Sequence, residues 1–173
     1  MPLSVRIANL TDSSAIARVH VESWLTTYRG IISEQVLAQI SLENRERSWH
    51  QGLIEGPPPY IFVADDPEVG VVGFAAGGPE RDQIPGFEAE IYAIYAFEAQ
   101  QGKGVGRAMS TALAAALSTA GFKSLALWVL RDNPTRGFYE HLGGQYIMDK
   151  EIDIGGQTLI ESAYGWPDIR ELI

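Results

Sequence analysis

The 173-residue chain has no cysteine. That excludes disulfides, a thiol nucleophile and a thiolate metal site, and it fits a reducing, cytoplasmic setting. Histidine is scarce. His20, His50 and His141 stand apart without the spacing of metal ligands, so no metal is expected. Positive charge is also in short supply: 13 Lys and Arg against 22 Asp and Glu leave a net charge of −9, which argues against a nucleic-acid surface. No apolar run approaches the roughly 18 residues that a membrane helix needs. The opening "MPLSVRIANL" lacks the basic-then-apolar layout of a signal peptide. Repeats, low-complexity tracts and linkers are missing as well. The expectation is one cytoplasmic domain over residues 1–173, with neither nucleic acid nor membrane as a partner.

What is present is a clear alternation of periods. Residues 3–8 predict a strand, and Thr11 or Asp12 a helix cap. Ile16, Val19, His20, Ser23, Trp24, Thr27 and Tyr28 then recur at three- and four-residue spacing, which is one face of a helix ending by Gly30. Further helices are expected near Ser33 and over 42–54. The prolines of "GPPP" at 56–59 break the pattern. Strands are expected at 60–65, 70–77 and 87–97, a helix at 104–120 and a buried strand at 124–130. A helix capped by Asn133 with Pro134 at its first position should follow, then strands at 145–154 and 157–165. A strand–helix–strand unit with antiparallel material on both sides predicts an α+β mixed sheet with helices packed on its faces.

The stretch "QQGKGVGRAM" (100–109) joins strand to helix with three glycines. One glycine makes a turn; three, beside Lys103 and Arg107, exceed that need. Free N–H groups at a helix N-terminus attract anions, and bare backbone lets a phosphate approach them. A phosphate-bearing ligand is the better reading. The nucleotide loop G-x-x-x-x-G-K-[ST] does not occur, and the dinucleotide pattern G-x-G-x-x-G fails, because its third glycine would fall on Arg107 or Met109.

The string "AIYAFEAQQGKGVGRAM" resembles the acetyl-CoA signature of the GNAT N-acetyltransferases, Q/R-x-x-G-x-G/A, at Gln101, Gly104 and Gly106. The downstream "LWVLRDNPTRGFYEHLGG" is similar to that family's next strand and its N-x-x-x-x-x-Y element, and "VHVESWLTTYRGIIS" to its first-helix region. The likeness covers nearly the whole chain. It implies a three-layer fold, with a mostly antiparallel sheet split by a central, splayed parallel pair. It implies acetyl-CoA as acetyl donor, its pyrophosphate held by Gln101, Gly102, Lys103, Gly104, Val105, Gly106 and Arg107. Main-chain groups of Ile94 and Ala96 would bind the pantetheine arm, with Asn133 helping to hold the cofactor.

The implied activity is acetyl transfer to a primary amine by direct attack in a ternary complex, the acceptor being a small molecule or a peptide. Tyr139, six residues after Asn133, would be the acid. Its alternative is plain core packing beside Phe138 and Leu142. For the base, Glu90 is preferred over Glu88 and Glu22, on a strand whose alternation puts Glu90, Tyr92, Ile94 and Ala96 on one face. A solvated carboxylate is the competing account. Trp24, Tyr28 and Arg29 are candidate walls of the acceptor pocket, with His20 read as a core histidine. A homodimer is allowed by the resemblance. A binding-only acyl-CoA sensor of the same fold is the rival reading.

Overall fold

In the computed structural model, residues 2–173 are described. The chain begins with β1 (Ser4–Ile7), then a 3-10 turn over Leu10–Asp12 and helix α1 (Ser13–Thr27). Asn9, not Thr11 or Asp12, caps this region, its side chain accepting from the Thr11 N–H. Asp12 is instead engaged by two guanidinium bonds from Arg6 and by the Asn9 N–H. Helices α2 (Glu34–Leu37) and α3 (Leu42–Glu55) follow, each N-capped by a serine, Ser33 and Ser41. After the prolines come β2 (Tyr60–Asp66), β3 (Gly70–Pro79) and β4 (Ala89–Ala96). Then follow α4 (Val105–Thr119), β5 (Leu125–Leu130), α5 (Arg136–His141), β6 (Gln145–Ile154) and β7 (Gln157–Trp166).

The seven strands form one sheet in the order β1-β2-β3-β4-β5-β7-β6. Every neighbouring pair is antiparallel except β4–β5. Helices α1 and α3 cover one face and α4 the other, so the expected α+β, three-layer arrangement is present. The α4 face buries the larger apolar cluster, with Met109, Leu113, Leu117, Leu125 and Trp166 fully enclosed. The opposite face is closed by Ile16, Val19, Val63 and Phe74.

Two irregularities in β4 shape everything that follows. Its parallel ladder to β5 is short, pairing only Ala89, Glu90 and Ile91 with Leu125, Ala126 and Leu127. Beyond that point the strands part, and Trp128–Leu130 pair only with β7. The second irregularity is a bulge. Ala76 of β3 faces Ala93 and Gly77 faces Ile91, so Tyr92 is the extra residue. The strand's phase therefore changes at Tyr92. Ile91, Ile94 and Ala96 pack on the α4 side, whereas Ala93 and Tyr95 pack under α1. This corrects the expectation that Glu90, Tyr92, Ile94 and Ala96 share a face: simple alternation cannot register an inserted residue.

Candidate active site

The gap between β4 and β5 opens into a cleft of about 890 Å³, within the range usual for small-molecule sites. It runs from the β4–α4 loop, through the splayed strands, to the space between α1 and the β6–β7 hairpin.

At the loop end, Gln101, Gly102 and Gly106 line the cleft together with Asn133 and Phe138. Gly104 is the residue before α4, with φ +83° and no side-chain cap. The first-turn N–H groups of Val105, Gly106 and Arg107 consequently lack helical acceptors and carry the positive end of the helix dipole. The three glycines serve different needs. Gly102 and Gly104 adopt positive φ in open surroundings, while a Cβ on Gly106 would lie 2.8 Å from the Phe138 ring. Val105 is buried in the α4 core and acts in packing. Lys103 and Arg107 are exposed and are not in the cleft wall.

Along the splay, the main chain of β4 is open. The Phe97 N–H donates to the Val72 carbonyl at 3.0 Å. By antiparallel alternation, Tyr95 and Ala93 then exchange bonds with β3, while Ile94 and Ala96 turn their polar groups toward the gap. The Ala96 carbonyl accepts a long bond from Ser23 Oγ, 3.4 Å; the others meet no strand there.

Asn133 does not cap α5 directly. Its side chain accepts from the Thr135 N–H and hydroxyl, 2.8 and 2.7 Å, and so builds the turn before the helix, which starts at Arg136 rather than Pro134. Asn133 and Tyr139 are both buried and both line the cleft. Tyr139 makes no side-chain hydrogen bond among the described residues. Burial, then the neighbouring Tyr95, pushes its phenol above the ordinary range, so it stays protonated at neutral pH.

The far end is aromatic. Trp24 Nε1 donates to the Tyr95 hydroxyl at 3.1 Å, and the Tyr28 hydroxyl lies 3.4 Å from it. Burial raises the Tyr28 and Tyr95 phenols too. Tyr95 was not anticipated from the sequence, because its role depends on the bulge. Trp128, from β5, presents a buried indole N–H without an acceptor among the described residues. Arg29 is exposed and outside the cleft wall, unlike Trp24 and Tyr28.

Glu90 is not brought to the cleft either. It is 3% exposed, and both its oxygens are taken. Oε1 accepts from Arg81 Nη2 at 2.8 Å, and Oε2 from the Arg81 N–H and Nε at 3.1 and 3.2 Å. The same guanidinium stacks on Tyr92 at 3.7 Å. Glu88 is also occupied, accepting from the Lys123 N–H. A different carboxylate reaches the cleft: Glu161 of β7. His20 is buried and accepts at Nδ1 from Trp49 Nε1, 3.0 Å, as the core histidine it was expected to be. Burial, and secondarily Arg45, pushes its pKa down to about 4.

The model of the acetyltransferase (GNAT) family matches residues 20–144. YuaI of Bacillus subtilis (strain 168), an uncharacterized N-acetyltransferase, is 38% identical over 170 residues, covering 98% of this chain and 96% of that protein. Among solved structures, yncA from Salmonella typhimurium with its cofactor acetyl-CoA is similar with a TM-score of 0.72 and 20% identity, over 96% of this chain and 94% of that one. PaiA N-acetyltransferase from Thermoplasma acidophilum in complex with coenzyme A gives a TM-score of 0.72 and 19% identity, over 94% of this chain and 98% of that one. No helix among the described residues is long and apolar enough to cross a membrane.

Proposed function

The chain belongs to the GNAT family of acetyltransferases, and on that premise we propose that it transfers the acetyl group of acetyl-CoA to a primary amine by direct attack in a ternary complex. As a member of that family it is an acyltransferase, which sets aside the binding-only alternative. The observation that carries the proposal is a continuous cleft. It joins an uncapped helix N-terminus, an unpaired strand edge and a protonated tyrosine.

The residues fit the donor. Glycines 102 and 104 leave the loop open, and the first-turn N–H groups of α4 suit a pyrophosphate. The open groups of Ile94 and Ala96 suit an extended amide-bearing arm, by the logic of strand addition. Lys103 and Arg107 can contribute long-range attraction from the rim. When bound, acetyl-CoA supplies an activated acetyl group, whose transfer forms one C–N bond and breaks one C–S bond. Tyr139 stands where the cleft passes through the sheet, and its role is to give a proton to the leaving sulfur. The phenol recovers that proton from the acylated nitrogen, so the tyrosine ends unchanged. Trp24 and Tyr28 form the wall against which the acceptor is oriented.

Calorimetric titration tests the first half of this reading, with acetyl-CoA against ATP and NAD. Selective micromolar binding of acetyl-CoA is the expected result. Binding of none of them by folded protein, or equal binding of all three, would remove the donor assignment. Release of the CoA thiol on adding primary amines tests the second half.

A further inference from the structure

The cleft wall has an unbalanced set of charges. Among the described residues that line it there is no Lys, Arg or His, and there are two carboxylates, Asp153 and Glu161. Asp153 is committed to its hairpin, where its side chain accepts from the Gly156 N–H at 3.0 Å. Glu161 is not committed in this way. Its side chain is 17% exposed, and its nearest cation, Lys150 Nζ, lies 3.6 Å off, beyond good hydrogen-bond length. Lys150 is turned elsewhere, to Asp82 at 2.6 Å and over the Trp128 ring at 4.0 Å. Glu161 therefore keeps its acceptor capacity, in contrast to Glu90 with both oxygens filled.

We propose that Glu161 receives the acceptor's ammonium group and takes its proton, and that the acceptor is an apolar or aromatic primary amine bearing no carboxylate. This rests on the acetyl-transfer reading and adds the substrate class to it. The neighbouring wall is Trp24, Tyr28, Tyr95, Trp128 and Ile152, an apolar and aromatic surface of the kind that holds hydrophobic amines and cations. A substrate carboxylate would meet two carboxylates there and no cation in the wall itself, Lys150 outside it being engaged by Asp82, an arrangement that disfavours it. The proton balance closes. Glu161 takes one proton from the ammonium, leaving a neutral amine; the second proton lost on acylation restores Tyr139; and Glu161 later releases its own to solvent. Burial pushes the Glu161 carboxyl up, Lys150 pulls it back, and Asp82 and Glu90 push it up again; Tyr95, from β4, faces it as well. Its titration thus falls above the usual carboxylate range, where a base is more useful.

The test compares phenethylamine with phenylalanine, which differ by one carboxylate. Each is titrated calorimetrically into the full chain saturated with CoA at pH 8. Phenethylamine should bind at least about tenfold more tightly than phenylalanine. Glu161→Gln should lose about tenfold or more of the amine affinity, with melting temperature and acetyl-CoA affinity unchanged. No binding of phenethylamine, equal binding of both, or an unaltered affinity in Glu161→Gln would overturn the proposal. Thiol release from acetyl-CoA provides the second readout. In the wild type kcat/KM should fall as pH drops through the Glu161 titration, and Glu161→Gln should lose this limb while Glu161→Asp retains it. Glu161-dependent amine binding with no thiol release at any pH would sink acetyl transfer and leave the amine site standing. Thiol release with an unchanged acid limb in Glu161→Gln would do the reverse. Should that variant not fold, Lys150→Met decides: loss of the cation must move the limb upward, by up to about one pH unit, and an unmoved limb rejects Glu161.

Discussion

The two ends of the cleft are made of different materials. The loop end is built from main chain: the N–H groups before and within the first turn of α4, and the open edge of β4. The far end is built from side chains of α1, β4, β5 and the β6–β7 hairpin, which meet only when the fold is complete. Main-chain sites depend on local residue order, because backbone conformation follows from which residues are glycine and where a helix starts. Side-chain sites depend on contacts between residues distant in sequence. The first kind can be written in a short string; the second cannot.

Substitutions should separate the two ends, and Tyr139 is the first place to try to break the division. It stands where the ends meet, so Tyr139→Phe should lower kcat by about 10²-fold or more while leaving acetyl-CoA affinity within about twofold. An intact rate across pH would return the residue to core packing. Next comes the loop end alone. Gly104 holds φ +83° in open space, so Gly104→Val imposes backbone strain of about 1–3 kcal/mol. It should weaken acetyl-CoA binding about tenfold, with the KM for amine unchanged; undiminished affinity in a folded variant would refute the loop's role.

The far end should answer more mildly. Trp24→Phe removes the indole bond to Tyr95, a loss of about 0.5–1.5 kcal/mol. The amine KM should rise several-fold and acetyl-CoA affinity should stay put. Equal changes in both constants would mean the ends are one unit. The smallest effect near neutral pH concerns His20, which stacks on Tyr95 with ring centroids 5.2 Å apart. Its folded pKa of about 4 lies below the unfolded value of about 6.5. The stability tied to its neutral form is thus fully present above about pH 6.5. It declines toward pH 4 by at most about 1.4 kcal/mol per pH unit. Melting temperatures at pH 7.5 and 5.0 measure this, and His20→Leu should flatten the difference.

The same division explains how far the sequence could be read. All seven strands and the five helices were legible from period and breakers, and so was the mixed sheet; only the ends shifted, as at Arg136, where the Asn133 turn delays the helix. Gln101, Gly102 and Gly106 were legible because three glycines at a strand–helix joint are a local signal. Gly106 shows the limit, since what a Cβ there would meet is the ring of Phe138, 32 residues further along the chain. Glu90 was chosen for its nearness to the splay in the strand. Arg81, which occupies it, carries no mark in the sequence of pointing inward. Tyr95 and Glu161 were passed over for the complementary reason. One is brought round by the bulge at Tyr92, and the other arrives from β7, the last strand of the chain, which the sheet order sets beside β5.

The bulge has a consequence for altering this protein. Because Tyr92 is a skipped beat, β4 can give up that residue more easily than it can gain one. Without it, Ile91 and Ala93 would follow one another opposite Gly77 and Ala76, leaving Tyr95 under α1 and Ile94 and Ala96 on the α4 side; one residue more, with no second bulge, would reverse the strand's whole second half. Loops elsewhere can lengthen or shorten across descendants of such a chain. Here the count of residues between Ile91 and the glycine loop works as a ruler, and the residues it measures out lie on opposite sides of the sheet.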